Sequence, residues 1–141
     1  MIPRDKLIPG VWDADLNTHP NKSYQFYSHG YKCKIKRNDF YVYCCYVYVG
    51  TNHPYFKDGE DALITVHGGI TFVDEKGVFG YDCLHFGDLS PLQETLNIQY
   101  FNIPLKFGTH YWTFEEAGEE TENMAKQFRD TDTINLDEVE N

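Results

Sequence analysis

The feature that most constrains the fold is a twenty-residue stretch, YKCKIKRNDFYVYCCYVYVG, which begins at Tyr31. In its first part apolar residues alternate with lysines, as is typical of a strand with one face in water. The letters KRND supply a turn. The second part, Phe40 to Val49, is apolar or aromatic on both faces, which predicts a central strand covered on both sides. We therefore expect a β-hairpin whose first arm places Tyr31, Cys33 and Ile35 on one face and Lys32, Lys34 and Lys36 on the other.

The segments around this hairpin are less regular. Residues 1–30 contain three prolines and two glycines, so we expect an irregular N-terminal segment with short strands at most. A second hairpin is predicted downstream. Its first arm starts at residues 63–66, is interrupted at Gly68-Gly69 and resumes at residues 70–73. The letters DEKG form the turn, and residues 78–85 form the second arm.

A short helix is predicted just after residue 90. Ser90 can cap it, Pro91 suits its first position, and Gln93 completes a capping box. We expect this helix to run from Pro91 to about Leu96. The following letters, IQYFNIPLKF, are compatible with an edge strand.

The principal helix is predicted near the C-terminus, where Thr113 and Glu116 form a second capping box. Gly118 weakens this helix by about 1 kcal/mol, and residues 130–141 lack a period and read as a flexible acidic tail. The fold class is therefore α+β: a mainly antiparallel twisted sheet with this helix packed on one face, in a single domain of residues 1–141. The helix presents one apolar face, made of Phe114, Ala117, Thr121, Met124, Ala125 and Phe128.

Composition narrows the class of protein further. No stretch approaches the roughly 20 apolar residues of a membrane span, and the letters MIPRDKLIPG lack the apolar run of a signal peptide. The four cysteines include no CxxC pair, which argues against a zinc ribbon or a thioredoxin-like motif. We expect reduced, buried thiols and a cytosolic location.

Charge is distributed very unevenly along the chain. Residues 1–57 hold eight Lys and Arg against four Asp and Glu, a balance of +4, whereas residues 58–141 hold four against eighteen, a balance of −14. The C-terminal half should therefore repel nucleic acid. It could occupy a basic groove of another protein, or its acidity could serve only solubility. The candidate binding residues are Glu115, Glu116, Glu119, Glu120 and Glu122.

The densest chemistry lies in HGGITFVDEKGVFGYDCLHFGD, residues 67–88. On a regular strand Cys83 and His85 share a face, whereas Asp82 and His85 do not unless a bulge turns one of them. Pairing residues whose numbers sum to about 151 places His67 near Leu84. The candidate catalytic residues are His67, Asp82, His85 and Asp88, of which His67, His85 and Asp88 are candidate metal ligands.

Three interpretations of this cluster compete. A divalent transition metal such as zinc, manganese or iron could activate water for phosphodiester cleavage. Cys83 could be a nucleophile with His67 or His85 as its base. The third interpretation is structural, with Asp88 capping the next helix. None of the standard nucleotide-fold, P-loop, zincin or hydrolase-elbow motifs is present, and the tyrosine pairs of the sheet could either pack or stack on bases.

Three blocks in order, CCYVYVGTNHPYF, VHGGITF and GYDCLHFGD, resemble the recurring blocks of a widespread family of small bacteriophage and prophage proteins. The family's blocks have the forms HGG(L/I)T(F/Y) and G(F/Y)DCxHxGD, followed by a helix similar to YWTFEEAGEETENMAKQ. The resemblance covers roughly residues 31–128 and departs at Leu84 and Phe86, where small residues are usual. It implies a viral origin, the cytoplasm of a bacterial host and a counter-defence role.

The leading hypothesis is a phage counter-defence protein, of the anti-CRISPR kind, that inhibits a host defence effector through its acidic surface. The partner would be a defence nuclease with a basic surface, such as a CRISPR effector; no membrane is involved, and a homo-oligomer is compatible with the sequence. The first alternative is a metal-assisted phosphodiesterase or nuclease acting on a nucleotide signal. The second is a protein that sequesters nucleotides on its tyrosine-rich sheet.

Overall fold

The computed structural model describes residues 2–85, 87–99 and 110–140, with side chains as far as residue 132. Its centre is a five-stranded antiparallel sheet in the order β1-β2-β3-β5-β4, which confirms the predicted α+β class. Two short 3₁₀ segments, Arg4–Lys6 and Phe56–Asp61, lie outside the sheet. The strands are β1 (Ser23–Ser28), β2 (Tyr31–Arg37), β3 (Tyr43–Tyr48), β4 (Phe72–Val73) and β5 (Val78–Asp82), and the helices are α1 (Asp13–Thr18), α2 (Pro91–Gln99) and α3 (Phe114–Glu140).

The predicted central hairpin is present as β2 and β3, with β3 in the middle of the sheet. The second arm starts at Tyr43 rather than at Phe40, because Tyr41 takes a positive φ of 65° and the Asn38 side chain accepts hydrogen bonds from the backbone of Phe40 and Val42. Alternate residues of β3 are buried and half-buried. The expectation that both faces are fully covered was therefore wrong.

Helix α3 packs on the inner face of the sheet, as predicted. Its capping box is reciprocal: the Glu116 backbone N–H donates to Thr113 Oγ1, and the Thr113 N–H donates to Glu116 Oε1. Tyr81 on β5 donates its hydroxyl to the carbonyl of Ala117, which ties the helix to the sheet. The predicted apolar face is buried from Ala117 to Phe128 against Cys33, Ile35, Tyr43, Cys45, Val47 and Phe79.

Helix α2 runs to Gln99 rather than to about Leu96. Ile98 and Gln99, which begin the predicted edge strand, are therefore helical, and residues 100–107 of that prediction lie outside the described residues. The N-terminal segment is also more regular than predicted. It contains helix α1, and β1 pairs with β2 along its whole length.

Residues 63–66 do not form the predicted strand. Their apolar alternation is real, since Ile64 and Val66 are buried while Leu63 and Thr65 are exposed. However, the Thr65 backbone exchanges two hydrogen bonds of 2.8 Å with the side-chain amide of Gln127 on α3. The segment therefore packs on the helix instead of joining the sheet.

Two element ends also differ from prediction. Strand β5 ends at Asp82, so the segment that leads to His85 is not part of the sheet. Residues 130–141 lack a helical period and were predicted to be a flexible acidic tail. The backbone instead stays helical to Glu140.

Candidate functional site

His67, His85 and Asp88 come together beside the end of β5. His67 Nε2 lies 2.7 Å from Asp88 Oδ2, and His85 Nδ1 lies 3.5 Å from the same oxygen. Each residue presents one ligand-type atom within 4.8 Å of the others. We call these three residues the His-Asp cluster. The sequence had selected all three, and the fold brings them together.

Close backbone approach positions the cluster. Gly68 lies directly against the His85 ring: a Cβ on Gly68 would stand 2.2 Å from His85 Cε1, so a larger residue would displace the ring. The backbone of Gly68 also has a positive φ of 70°, which glycine adopts without strain. On the other side, Asp88 Oδ2 accepts the backbone N–H of His85 at 2.9 Å. Both the imidazole and the carboxylate are therefore held in place before any ligand arrives.

Asp82 lies behind the cluster rather than within it. Because β5 ends at Asp82, the chain turns back, and His85 Nε2 lies 3.7 Å from Asp82 Oδ1. The alternation that separates these two residues on a regular strand therefore does not extend to His85. Asp82 also accepts hydrogen bonds from the Thr71 hydroxyl and the Leu84 backbone N–H. It can orient the imidazole of His85 from the side opposite Asp88.

The donor set of the His-Asp cluster suits a divalent transition metal. Two imidazoles and one carboxylate are common ligands of zinc, manganese and iron, and a carboxylate behind a ligating histidine fixes its ring. His85 Nδ1 is buried and has no hydrogen-bond partner among the described residues. Such an atom is costly to leave unpaired, and a metal ion between His67, His85 and Asp88 would satisfy it.

The acidic residues of α3 fall into two groups. Glu115, Glu119 and Glu122 are exposed, and at 3.6 residues per turn they lie opposite the buried side of the helix. Glu116 and Glu120 are half-buried and line an open pocket of about 280 Å³ with Trp112, Glu119 and Asn123. Trp112 in turn stacks on His67, with ring centroids 4.2 Å apart. Glu116, Glu119 and Glu120 thus share a pocket with Trp112, which contacts the His-Asp cluster, whereas Glu115 lies beside His19.

Glu116 forms more hydrogen bonds than the other glutamates, of which Glu115 pairs with the ring of His19 at 3.1 Å. Its carboxylate closes the capping box and accepts a 2.7 Å hydrogen bond from His110. Burial opposes its ionisation, but the hydrogen bonds from the Thr113 backbone and from His110 outweigh it and lower the pKa of Glu116 below its ordinary value. This carboxylate is therefore less free to meet a partner than those of Glu119 and Glu122, and the Glu115 carboxylate, although exposed, is shared with His19.

Cys83 is enclosed in the core and is only 1 % exposed. A hydrogen bond with Cys45 and burial both raise the pKa of its thiol. A nucleophilic cysteine needs the thiolate form and access to substrate. The interpretation that makes Cys83 a nucleophile is therefore wrong.

The sequence reasoning missed a buried polar network on the inner side of the sheet. Asp15 Oδ2 accepts hydrogen bonds from the hydroxyls of Tyr43 and Tyr111, and it lies 3.8 Å from the guanidinium of Arg37. Asp15 Oδ1 accepts the backbone N–H of Phe114 at the start of α3. The burial of Arg37 could have been predicted from the sequence, because Arg37 continues the alternation of Tyr31, Cys33 and Ile35, the buried residues of β2.

Comparisons of the chain with protein-family models, with curated proteins and with solved structures return no match. Within the described residues, no helix combines the length and the apolar character that crossing a membrane requires. The resemblance to phage proteins therefore stays a prediction, and the functional argument rests on the geometry of the chain.

Proposed function

We propose that this protein binds a basic protein surface through the exposed carboxylates of α3, as a phage counter-defence protein in the cytoplasm of a bacterial host. The observation that carries the proposal is the exposure of Glu115, Glu119 and Glu122 on the side of α3 turned away from the sheet. The partner would be a defence nuclease such as a CRISPR effector, because nucleases present basic surfaces to their nucleic acids.

The charges around these glutamates support capture of a basic partner. Lys126 and Arg129 lie further along α3, where Lys126 pairs with Asp130 and Arg129 donates to the carbonyl of His29. They do not neutralise the first turns of the helix. A concentrated negative surface accelerates association with a basic partner, and the interaction weakens as salt screens it.

The test measures binding to a purified, guide-loaded CRISPR effector nuclease by surface plasmon resonance at 50 and 500 mM NaCl. We expect affinity to fall at least about tenfold at high salt, and by a similar factor in the triple variant Glu115→Gln, Glu119→Gln, Glu122→Gln. The matched control is Asp58→Asn, Glu60→Gln, Asp61→Asn, which removes three exposed charges elsewhere. An affinity that is independent of salt, or an equal loss in the control, would contradict the proposal.

A second candidate function is metal-assisted hydrolysis of a phosphodiester, and the convergence of His67, His85 and Asp88 favours it. His67, His85 and Asp88 would hold a divalent ion, which would supply an activated water by lowering the pKa of that water. Asp82 would act as a positioning residue through His85. The substrate would be a small nucleotide signal.

Metal content distinguishes this candidate from pure binding. We expect elemental analysis by inductively coupled plasma mass spectrometry to find about one zinc or manganese ion per chain. The variants His67→Ala and His85→Ala should lose that ion. Only the metal-loaded protein should hydrolyse bis-p-nitrophenyl phosphate. His29→Asn, which changes an exposed histidine outside the His-Asp cluster, should retain the metal. A protein that binds neither ion at micromolar concentrations would rule out the hydrolase.

A further inference from the structure

The outer face of the sheet, opposite α3, carries basic and aromatic side chains on adjacent strands. The register places Lys32 opposite Tyr48 and Lys34 opposite Tyr46. All of these side chains are at least partly exposed, so this face is open in the described part of the chain. We call it the lysine-tyrosine face; its members are Lys32, Lys34, Lys36, Tyr46, Tyr48, Phe72 and Lys76.

The aromatic rings of this face are held in defined positions. The Tyr46 ring lies against Gly80 on β5: a Cβ there would stand 2.7 Å from Tyr46 Cδ1. Phe72 meets Tyr46 edge-on at 5.4 Å, and the Lys32 ammonium lies 4.5 Å from the centre of the Tyr48 ring. Absence of a side chain at Gly80 therefore lets an aromatic ring lie close to the sheet.

The lysines of this face are available to an anion. None of Lys32, Lys34, Lys36 and Lys76 forms an ion pair among the described residues. The nearby carboxylate of Asp74 is occupied by the backbone N–H groups of Lys76 and Val78. A pocket of about 270 Å³ is lined by three of these lysines, by the aromatic rings and by Asp74: Lys34, Lys36, Lys76, Tyr46, Tyr48, Phe72 and Asp74.

We propose that the lysine-tyrosine face binds single-stranded nucleic acid. Lysines along a strand recur about every 6.8 Å, a spacing comparable with that of successive phosphates in an extended single strand. Exposed aromatic rings on the neighbouring strand offer stacking surfaces to unpaired bases. Lys32, Lys34, Lys36, Tyr46 and Tyr48 belong to the basic residues 1–57, and Lys76 adds a fourth lysine from the acidic part of the chain.

Charge complementarity selects this occupant over an apolar partner. The side chains combine cations with aromatic faces, which together match phosphates and bases. A duplex hides its bases from such rings, so a duplex should bind less tightly than the single strand. A second copy of this chain, docking its acidic α3 on the lysines, is the competing occupant that the test must separate.

The test follows the fluorescence anisotropy of a labelled twelve-nucleotide oligo(dT) at 50–300 mM NaCl. If the three lysines of β2 each meet a phosphate, log affinity should fall with log salt with a slope of about −2. Tyr46→Ala and Tyr48→Ala should each weaken binding about fivefold or more. Lys32→Gln, Lys34→Gln, Lys36→Gln should abolish measurable binding at 150 mM NaCl.

The matched control removes three exposed lysines outside this face, Lys6→Gln, Lys57→Gln, Lys126→Gln, and should retain binding within about threefold. The glutamine variants of Glu115, Glu119 and Glu122 should bind the oligonucleotide at least as well as the natural chain. Oligonucleotide binding by these variants therefore distinguishes a failure of the nucleic-acid proposal from a failure of the proposed binding through α3. Absence of binding at 50 mM NaCl, equal affinity for a blunt duplex, an equal loss in the control, or lysine-dependent self-association that the oligonucleotide does not reverse would overturn the proposal.

Discussion

The two faces of the sheet are built from the same strands and differ in almost every physical property. On β2, Cys33 and Ile35 are buried against α3, whereas Lys32 and Lys34 point to the outer side. Side chains alternate along a strand, so one residue of register separates the core from the surface. A slip of one residue would bury the lysines and expose the core. The alternation therefore fixes both the packing of α3 and the chemistry of the outer face.

The uneven distribution of charge along the chain also separates acidic and basic side chains in space. Glu115, Glu119 and Glu122 lie on the outward side of α3, and Lys32, Lys34 and Lys36 lie on the opposite side of the sheet. Two surfaces of opposite charge can thus serve two different partners without interfering. Four pairs of measurements would sharpen or break this contrast.

The largest difference in stability should come from replacing one phenylalanine on each side of the sheet. Phe128 is fully buried and contacts the rings of Phe79 and His53, whereas Phe72 on the outer face is 42 % exposed. Phe128→Ala should lower the free energy of unfolding by about 4 kcal/mol because it opens a cavity. Phe72→Ala should cost less than about 1 kcal/mol. Urea denaturation measures both, and equal losses would show that the outer face is also core.

The polar network around Asp15 should come next. Asp15→Asn leaves the buried Arg37 without its counter-charge and should destabilise the protein by about 3 kcal/mol. Asp39→Asn, on the exposed turn between β2 and β3, should change stability by less than about 0.5 kcal/mol. Thermal unfolding followed by circular dichroism would measure the two. If Asp15→Asn left stability unchanged, the hydrogen bonds from α1 would contribute little to packing on the inner face of the sheet.

Substitution of a glycine by alanine should change stability in opposite directions on the two sides of the sheet. A Cβ at Gly118 on α3 would meet Ile35 at 3.9 Å, an ordinary contact, so Gly118→Ala should stabilise the protein by up to about 1 kcal/mol through helix propensity. A Cβ at Gly80 would collide with Tyr46, so Gly80→Ala should destabilise it by about 1–2 kcal/mol. Chemical denaturation of both variants measures the signs. Stabilisation by Gly80→Ala would contradict the close seating of Tyr46.

The smallest effect concerns the pH dependence of Glu116. Its pKa is lowered in the folded chain, so its contribution to stability is present above the ordinary value of about 4.5 and is lost as the pH falls through the lowered pKa. Glu116→Gln should therefore destabilise the protein by about 0.5 kcal/mol at pH 7, since the pair is partly exposed to solvent. The difference should be smaller at pH 3, below that ordinary value, than at pH 7. Urea denaturation of Glu116→Gln and of the natural chain at the two pH values would measure this difference in stability. A difference that does not change with pH would show that packing, and not charge, causes it.

The sequence predicted the elements whose signals are local. The lysine alternation located β2, the capping box at Thr113 located the start of α3, and the register of β4 with β5 follows a sum of 152 against the expected 151. The same rules failed at residues 63–66, because alternation shows that one face is buried but not what buries it. There the partner is Gln127, far away in the chain, so no local pattern could indicate it.

The candidate site shows the same division. The density of His and Asp in residues 67–88 identified His67, His85 and Asp88, but strand geometry placed His67 near Leu84 and separated Asp82 from His85. His67 lies beside His85, one residue from the predicted position, and the end of β5 at Asp82 brings Asp82 and His85 together. Trp112, which stacks on His67, comes from a distant segment, and nothing in its own neighbourhood indicated that contact.

By itself the amino-acid sequence determined the alternation of the central strands, the amphipathic helix with its cap, the separation of charge along the chain and the identity of the candidate ligands. These properties depend on side-chain chemistry and on the periods of strand and helix, which are local. Tertiary structure alone decided which element buries residues 63–66, that the His-Asp cluster closes beside β5, and that lysines and tyrosines share an open face. Those outcomes depend on contacts between residues far apart in the chain, and packing of the whole molecule selects among them.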